Sequence, residues 1–436
     1  MKTENPIWNA RQLGIPKMLL LGLQHTFAMF GATVLVPIIT GLNVSTTLLF
    51  AGLGTLLFHL ITKGKVPAFL GSSFAFLGGY AMVAPKLADG SPNSEMLPYA
   101  CGGVVAAGLV YVVLAGLIKA FGVKKVMRFF PPVVTGPIII SIGLILAPTA
   151  VQSASQDWLL AFVALGIIVV CNIWGKGMVR IIPILLGIVG AYLLAIVLGR
   201  VDFAAVKDAQ VVALAPITMA KFSISAIFTI MPIALATMME HIGDIAAIGA
   251  TTGKNYISNP GLHRTLLGDG LATSLAGLFG GPANTTYGEN TGVLALTRVY
   301  DPRVMELAAV FAVILSFVPK FGELIYSIPS AIIGGVSFIL YGMISAIGVR
   351  NVVENQVDLT KSRNLIIAAV ILVSALGFNS IGGLSIPITG EITITLSGLA
   401  IAAILGILLN AILPGNDYEF DDQNEEDGKT AVSFKV

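Results

Sequence analysis

Four acidic residues stand where acids are costly, inside long apolar runs: Glu240 and Asp244 in MMEHIGDIAAIGA, Asp269 in LLGDGLA and Glu289 in TTYGENTG. Ionisable side chains in such surroundings mark substrate or ion pathways by default. Glu240 and Asp244 are four residues apart and share one helix face. Burial disfavours a lone negative charge, and a neighbouring carboxylate disfavours it further, so groups of this kind can exchange protons at ordinary pH. That is the chemistry that coupling to a proton gradient requires, and it falls to Glu240, Asp244 and Glu289. Asp269, flanked by glycines, is expected to be a structural hydrogen-bond partner. Glu240 and His241 are adjacent and project about 100° apart on a helix, so both cannot face one ligand. His241, and with it His25, is expected to brace the site. His59 and His263 lie near the ends of apolar runs and are expected to be incidental. Cys101 and Cys171 lie within apolar runs and read as packing residues. No cluster has metal-ligand spacing, no nucleophile–base pair is apparent, and no cofactor or enzymatic activity is expected.

The elements that must position these acids are dictated by composition. Of 436 residues, 56% are hydrophobic and 11% charged, with a mean hydropathy of +0.90. A soluble domain carries about 25% charged residues, so too few remain here to coat a water-facing surface. The chain reads as a polytopic, all-α membrane protein of the cell inner (plasma) membrane. The first apolar run begins near Lys17 and reads as a span rather than a removable signal. Basic residues are scattered singly between spans, so nothing points to a nucleic-acid partner and none is expected.

A span needs about 20 apolar residues. Twelve runs meet that measure, near 18–40, 46–62, 98–120, 130–150, 158–174, 181–199, 223–249, 262–280, 304–325, 327–347, 364–378 and 393–413. Two more segments, 67–85 and 282–298, are short, rich in small residues and polar at the centre. Charge tests whether they cross. With the N-terminus inside and fourteen crossings, twenty of the 25 Lys and Arg residues fall inside and five outside, a strong positive-inside bias. Removing both segments moves Lys124, Lys125, Arg128, Lys176, Arg180, Lys254 and Arg264 outside and destroys the bias. Both are therefore expected to cross, leaving both termini cytoplasmic. The tail from Asn416 to Lys429 is acidic and polar and reads as disordered.

The chain also echoes itself. PAFLGSSFAF (67–76) matches GPANTTYGEN (281–290), Gln24-His25 matches Glu240-His241, and Pro131 with Gly136 matches Pro329 with Gly334. The matches run in order and point to two seven-span halves. Because seven is odd, the second half must be inverted, which is the plan of secondary transporters. Polar-centred segments at corresponding positions of two halves point to a mid-membrane site, where irregular backbone is tolerated if protein or a cavity covers it. Hydroxyl and aromatic residues around Ser73-Phe74 and Thr286-Tyr287 suit short strands. Segments 3 and 10 are thus expected to be a short strand followed by a half-helix, with the two strands pairing antiparallel. Backbone amides near Phe74 and Gly288 would then face a ligand, aided by the positive half-helix ends. With carboxylates, amides and the faces of Phe74, Tyr287 and Tyr341, but no Lys or Arg, the site suits a flat molecule bearing N–H donors and C=O acceptors. Nucleobases have that character.

ENTGVLALTR (289–298) resembles the signature of the nucleobase–ascorbate transporter family (nucleobase:cation symporter-2): an acidic or amide residue, Asn-x-Gly, then Thr-Arg. QHTFAMFGATVLVP (24–37), LGSSFAF (70–76), NPGLHR (259–264) and NTTYGEN (284–290) resemble its bacterial uracil-permease branch. The resemblance spans about residues 15–412. It implies a cytoplasmic N-terminus (1–16), a core domain (17–122 and 201–326, spans 1–4 and 8–11), a gate domain (123–200 and 327–414, spans 5–7 and 12–14) and an acidic cytoplasmic tail (415–436). It also implies proton symport of uracil by alternating access and, in several members, an elevator motion and a homodimer packed through gate domains. By position, Glu240 and Glu289 resemble the carboxylates that bind the pyrimidine edge. The amides of Phe74 and Gly288 resemble its backbone donors, and Ala32, Tyr287 and Tyr341 the pocket walls. Ser73, Thr286, Asn290, His25 and His241 are expected in support. Asp244 stands where the pattern leads one to expect His, in a place linked to proton coupling. A purine permease for xanthine or urate is the alternative within the family. An anion exchanger or channel of the same architecture is disfavoured by Glu240 and Glu289.

Overall fold

The computed structural model describes residues 6–389 and 392–415; the acidic tail expected over 415–436 therefore lies, from residue 416 on, outside the described residues. In the first half the chain forms α1 (Ile15–Thr40), α2 (Val44–Ile61), β1 (Leu70–Ser72), α3 (Leu77–Val83), α4 (Leu97–Phe121), α5 (Val123–Met127), α6 (Pro132–Ala154), α7 (Trp158–Trp174), α8 (Met178–Ile181) and α9 (Pro183–Val197). A short α10 (Ala204–Asp208) precedes α11 (Ile224–Ile230), α12 (Ala234–Thr252), α13 (Leu262–Leu278), β2 (Asn284–Thr286), α14 (Gly288–Thr297), α15 (Pro302–Ser316) and α16 (Pro319–Tyr326). The chain closes with α17 (Ser330–Glu354), α18 (Ser362–Ser380), β3 (Leu384–Thr389), β4 (Ile392–Leu396) and α19 (Gly398–Ile412).

Among the described residues seven helical units are long and apolar enough to cross a bilayer, α11 with α12 counting as one. The bent pair α15–α16, turned by 86°, makes an eighth if taken as one span. Helices α7, α9 and α19 are apolar but shorter. Large side chains such as Val113, Phe162, Ile173 and Val197 point outward, as lipid-facing surface requires.

Two bundles emerge from the packing. Helices α1, α2, α4, α11, α13 and α15 pack on one another, while α6, α7, α9, α17, α18 and α19 form a second group. Lipid is as apolar as leucine, so helices associate through close packing, which small residues allow. A Cβ placed on Gly108 of α4 would lie 2.5 Å from Gly270 O of α13, and one on Gly270 would lie 2.7 Å from Gly108 O. In the second bundle α6 and α17 meet the same way: a Cβ on Gly348 would lie 2.8 Å from Gly136 O, and one on Gly334 would fall against Ala154. The two glycines singled out as a repeat pair, Gly136 and Gly334, thus sit in reciprocal places, each against the partner helix.

The two polar-centred segments do not form continuous helices. Residues 70–72 and 284–286 are strands paired antiparallel, with Leu70 opposite Thr286, Gly71 opposite Thr285 and Ser72 opposite Asn284. A 3-10 turn (Phe74–Phe76) leads β1 into α3, whereas β2 passes into α14 after Tyr287. One expectation is corrected. The run expected as a span over 393–413 begins as strand, since residues up to Leu396 form β4, paired with β3 in a bulged hairpin. The stretch LSIPITGEITITL carries β-branched residues at alternate positions, which favours strand over helix. Ser397 then caps α19 by accepting from the Ala400 N–H.

Candidate functional site

The β1–β2 ladder is the platform on which the acids are assembled. Its two backbones reach beyond the strands: Ser73 N–H donates to Ala283 O at 2.8 Å, and Tyr287 N–H donates to Phe69 O at 3.0 Å. The chain entering β1 is tied to α2, where buried His59 Nε2 bonds Ala68 O at 2.9 Å. His59 thus has a definite structural task, although its sequence position marked it as incidental. Thr55 Oγ1 accepts from Leu70 N–H at 2.9 Å.

Tyr287 lies across this platform. Its hydroxyl donates to Ser72 O at 2.9 Å and accepts from Thr33 Oγ1 at 3.3 Å. Gly71 is required beneath it, because a Cβ there would fall on the Tyr287 ring. Ser72 holds this ring through its backbone carbonyl and Thr33 through its hydroxyl; Thr33 was not singled out in the sequence, because its hydroxyl becomes meaningful only once the strands pair. Phe74 and Tyr341 meet edge to face with ring centroids 6.0 Å apart, and Tyr341 comes from α17 of the second bundle. Both rings are buried. Ala32 is buried in α1, next to Gly31, where a Cβ would lie 2.6 Å from Ile184 Cγ2 of α9.

Helix α12 packs against β2 and α14 on one side and against α6 and α19 on another. Asp244 faces the β2–α14 junction: Thr286 Oγ1 donates to its Oδ2 at 2.8 Å, and a Cβ on Gly288 would lie 3.8 Å from its Oδ1. Glu240 and Asp244 share one side of α12, and Glu289 lies in the first turn of α14, which packs against α12. Among the described residues none of the three pairs with Lys or Arg. Gly288 and Glu289 open α14, and the first-turn amides of any helix lack intrahelical acceptors. Gly288 is exposed although its strand-side neighbours are buried, so its backbone faces open space.

The two histidines are fully buried, and each is held on a different piece. Asn290 Nδ2 donates to His25 O and lies 3.1 Å from His25 Nδ1, tying α14 to α1. His241 Nδ1 lies 3.0 Å from Asp269 Oδ2 of α13 and 3.5 Å from Thr286 Oγ1. Glu240, adjacent to it, projects about 100° away, whereas Asp244, three residues on, shares its side of the helix, and both His241 and Asp244 meet Thr286 Oγ1. Tyr111 OH donates to Thr237 Oγ1 at 2.6 Å one turn earlier on α12. Ser73 Oγ, Tyr341 Oη and His241 Nε2 are buried without a hydrogen-bond partner among the described residues. A narrow apolar cavity between the bundles touches Ala75, Gly79, Ile142, Ile233 and Leu399; none of the acids lines it. Among the described residues no cluster of His, Cys, Asp and Glu could hold a metal.

The structure thus brings Glu240, Asp244, Thr286, Tyr287, Gly288, Glu289 and Asn290 to one junction. Phe74 and Ser73 lie at the neighbouring strand end, and Tyr341 reaches in from the other bundle. The arrangement can accept hydrogen bonds at several carboxylate oxygens, donate from backbone amides and offer aromatic faces.

Comparison with known proteins places this geometry in a family. A sequence model of the permease family (Xan_ur_permease) matches residues 16–381. The uracil permease of Bacillus caldolyticus is 44% identical over 429 residues, covering 95% of this chain and 96% of that protein. The uracil permease of Bacillus subtilis (strain 168) is 43% identical, covering 93% and 94%. The putative pyrimidine permease RutG of Escherichia coli (strain K12) is 41% identical, covering 90% and 88%. Among solved structures, the transmembrane domain of a cyanobacterium bicarbonate transporter, BicA, superposes with a TM-score of 0.60 at 16% identity, covering 86% of this chain and 98% of that one. SLC26A9 superposes with a TM-score of 0.66 at 12% identity, covering 93% and 66%. These two share the fold; at such identity nothing further transfers. The chain is a multi-pass membrane transporter, and it belongs to the permease family that includes the bacterial uracil permeases.

Proposed function

We propose that this permease carries uracil into the cell together with protons. The observation that carries the reading is the placement of Asp244 against the β2–α14 junction and of Glu289 in the first turn of α14, with Glu240 one turn from Asp244 on α12 and no Lys or Arg paired with any of them among the described residues. Uracil presents N–H donors beside C=O acceptors. Its N–H groups would donate to Glu240 and Glu289, and its carbonyls would accept from the amides of Phe74 and Gly288. Ala32, Tyr287 and Tyr341 would wall the ring. Carboxylates can take up and release protons, and Asp244, held by Thr286, is placed to do so. Ser73, Thr286, Asn290, His25 and His241 would brace the site.

The positive-inside count and the reciprocal packing of α6 and α17 support a reading of fourteen crossings in two inverted halves. The first bundle, with the strands, would serve as a core and the second as a gate. An elevator-like slide of one past the other would alternate access to a site near mid-membrane. Packing through the gate into a homodimer, cytoplasmic termini and residence in the inner membrane complete the reading.

Labelled uracil uptake into proteoliposomes tests it. An inward proton gradient should drive accumulation, and excess xanthine should compete poorly. Accumulation unaffected by collapsing the gradient would remove the proton. Full competition by xanthine with none by uracil would assign a purine. In the same assay Asp244→Asn should still bind uracil but lose gradient-driven accumulation; normal accumulation would take Asp244 out of the proton path.

A further inference from the structure

The acids sit near one end of α14 and, on α12, in the second turn (Glu240) and one turn further on (Asp244), and the paired strands secure that end. What secures the other end is a separate question. Helix α14 has ten residues, too few to hold its shape unaided. It ends where Arg298 turns into the left-handed region at φ 55, and the chain continues through residues 299–301 to α15.

Residues 7–10 lie along that exit. Ile7 N–H donates to Arg298 O and Tyr300 N–H donates to Ile7 O, each at 2.8 Å, a parallel bridge opposite Val299. Ala10 N–H donates to Asp301 Oδ2 at 2.7 Å. Ala10, Leu21, Val299 and Val304 form a small buried cluster of their own. Trp8 meets Tyr300 edge-on at 5.2 Å, and Lys254 Nζ sits 3.5 Å over the Trp8 ring. Lys254 is the second residue beyond the end of α12. One short segment therefore touches the far ends of both acid-bearing helices: α14 by backbone pairing and α12 through a cation on an aromatic face.

We propose that residues 7–10 act as a positioning strap that fixes the spacing of Glu240 and Glu289, with Trp8 its positioning residue and Asp301 its anchor. The strap touches no substrate; it acts by keeping the end of α14 folded and in register with α12. The inference rests on the reading of those two carboxylates as uracil ligands.

Full-length Trp8→Ala, Trp8→Phe and wild type, purified and reconstituted, test it with two readouts. In Trp8→Ala the backbone amides over 294–300 should exchange hydrogen roughly tenfold faster, as local opening is eased. The uracil KM should rise about three- to tenfold with kcat nearly unchanged, because displaced ligands weaken binding before they weaken turnover. Trp8→Phe should restore both. Unchanged exchange with unchanged KM would overturn the strap, and a fall in kcat at constant KM would reduce it to a stabilising contact. Should Trp8→Ala fail to fold, Lys254→Gln carries the same test, with smaller shifts in the same direction expected and no shift in either readout overturning the proposal. Exchange needs no substrate, so a wild type that ignores uracil would refute the transport reading and still leave the strap measurable.

Discussion

Residues 70–83 and 284–297 each enter as a three-residue strand and leave as a helix. Their pairing centres on Gly71 opposite Thr285, so the local two-fold relates Ser73 to Tyr287 and Phe74 to Gly288. The backbone plan is shared; the chemistry is not. The first segment continues as Phe74-Ala75-Phe76 through a 3-10 turn, all buried and apolar. The second continues as Gly288-Glu289-Asn290 directly into α-helix. The same split separates the helices beside them. Gln24 of α1 stands where α12 has Glu240, and His25 is held by an amide, Asn290, where His241 is held by a carboxylate, Asp269. The duplicated scaffold supplies two sets of free amides and one set of acids. That asymmetry is what a substrate with distinct donor and acceptor edges requires.

The comparison can be broken at its strongest point first. Glu240→Ala should weaken uracil binding about 100-fold or more, since a hydrogen bond to a charged group is worth roughly 1.5–3 kcal/mol and this site would lose its shape as well. Gln24→Ala, at the matching place in the first half, should stay within about threefold. Equal losses measured by equilibrium binding would mean that the halves share the chemistry. Next come the glycines. Gly71→Ala forces a methyl into the Tyr287 ring and should cost about 1–3 kcal/mol of stability by overpacking, seen as a lower melting temperature. Gly288→Ala meets nothing closer than Asp244 Oδ1 at 3.8 Å and should melt like wild type. Identical melting of the two would show that the strand face is looser than drawn. The smallest contrast is between hydroxyls. Thr286→Val removes the donor to Asp244 and should change uracil accumulation severalfold, in line with roughly 1 kcal/mol for one hydrogen bond. Ser72→Ala removes only a bond to Thr33 O and should leave accumulation near normal; a larger effect from Ser72→Ala would invert the assignment.

Much of this architecture was legible because a few signals oppose the background. Against a chain so apolar, Glu240, Asp244 and Glu289 stand out by cost alone, and hydroxyl and β-branched residues at 70–73 and 284–287 announce strands where helix is the default. The acids could be named but their grouping could not be measured. It depends on β1 meeting β2 across more than 200 residues, which no local pattern encodes. The β3–β4 hairpin went unread because its apolar alternation merged with the following helix into one hydropathic run. A short piece such as α14, with ten residues, escapes a ruler built for whole spans; it is covered by neighbours instead of by length. Thr33 and the residues around Trp8 carry no periodicity at all. Their meaning is tertiary, set by Tyr287 lying over Gly71 and by Tyr300 lying beside the N-terminal segment.

The central claim is that uracil is held by the acid-bearing half of a duplicated strand platform. Calorimetric titration of uracil into purified Glu289→Ala, beside wild type, addresses it most directly. The account predicts a clear binding isotherm for wild type and no measurable heat for the variant while both remain folded. Wild-type affinity in Glu289→Ala would contradict it.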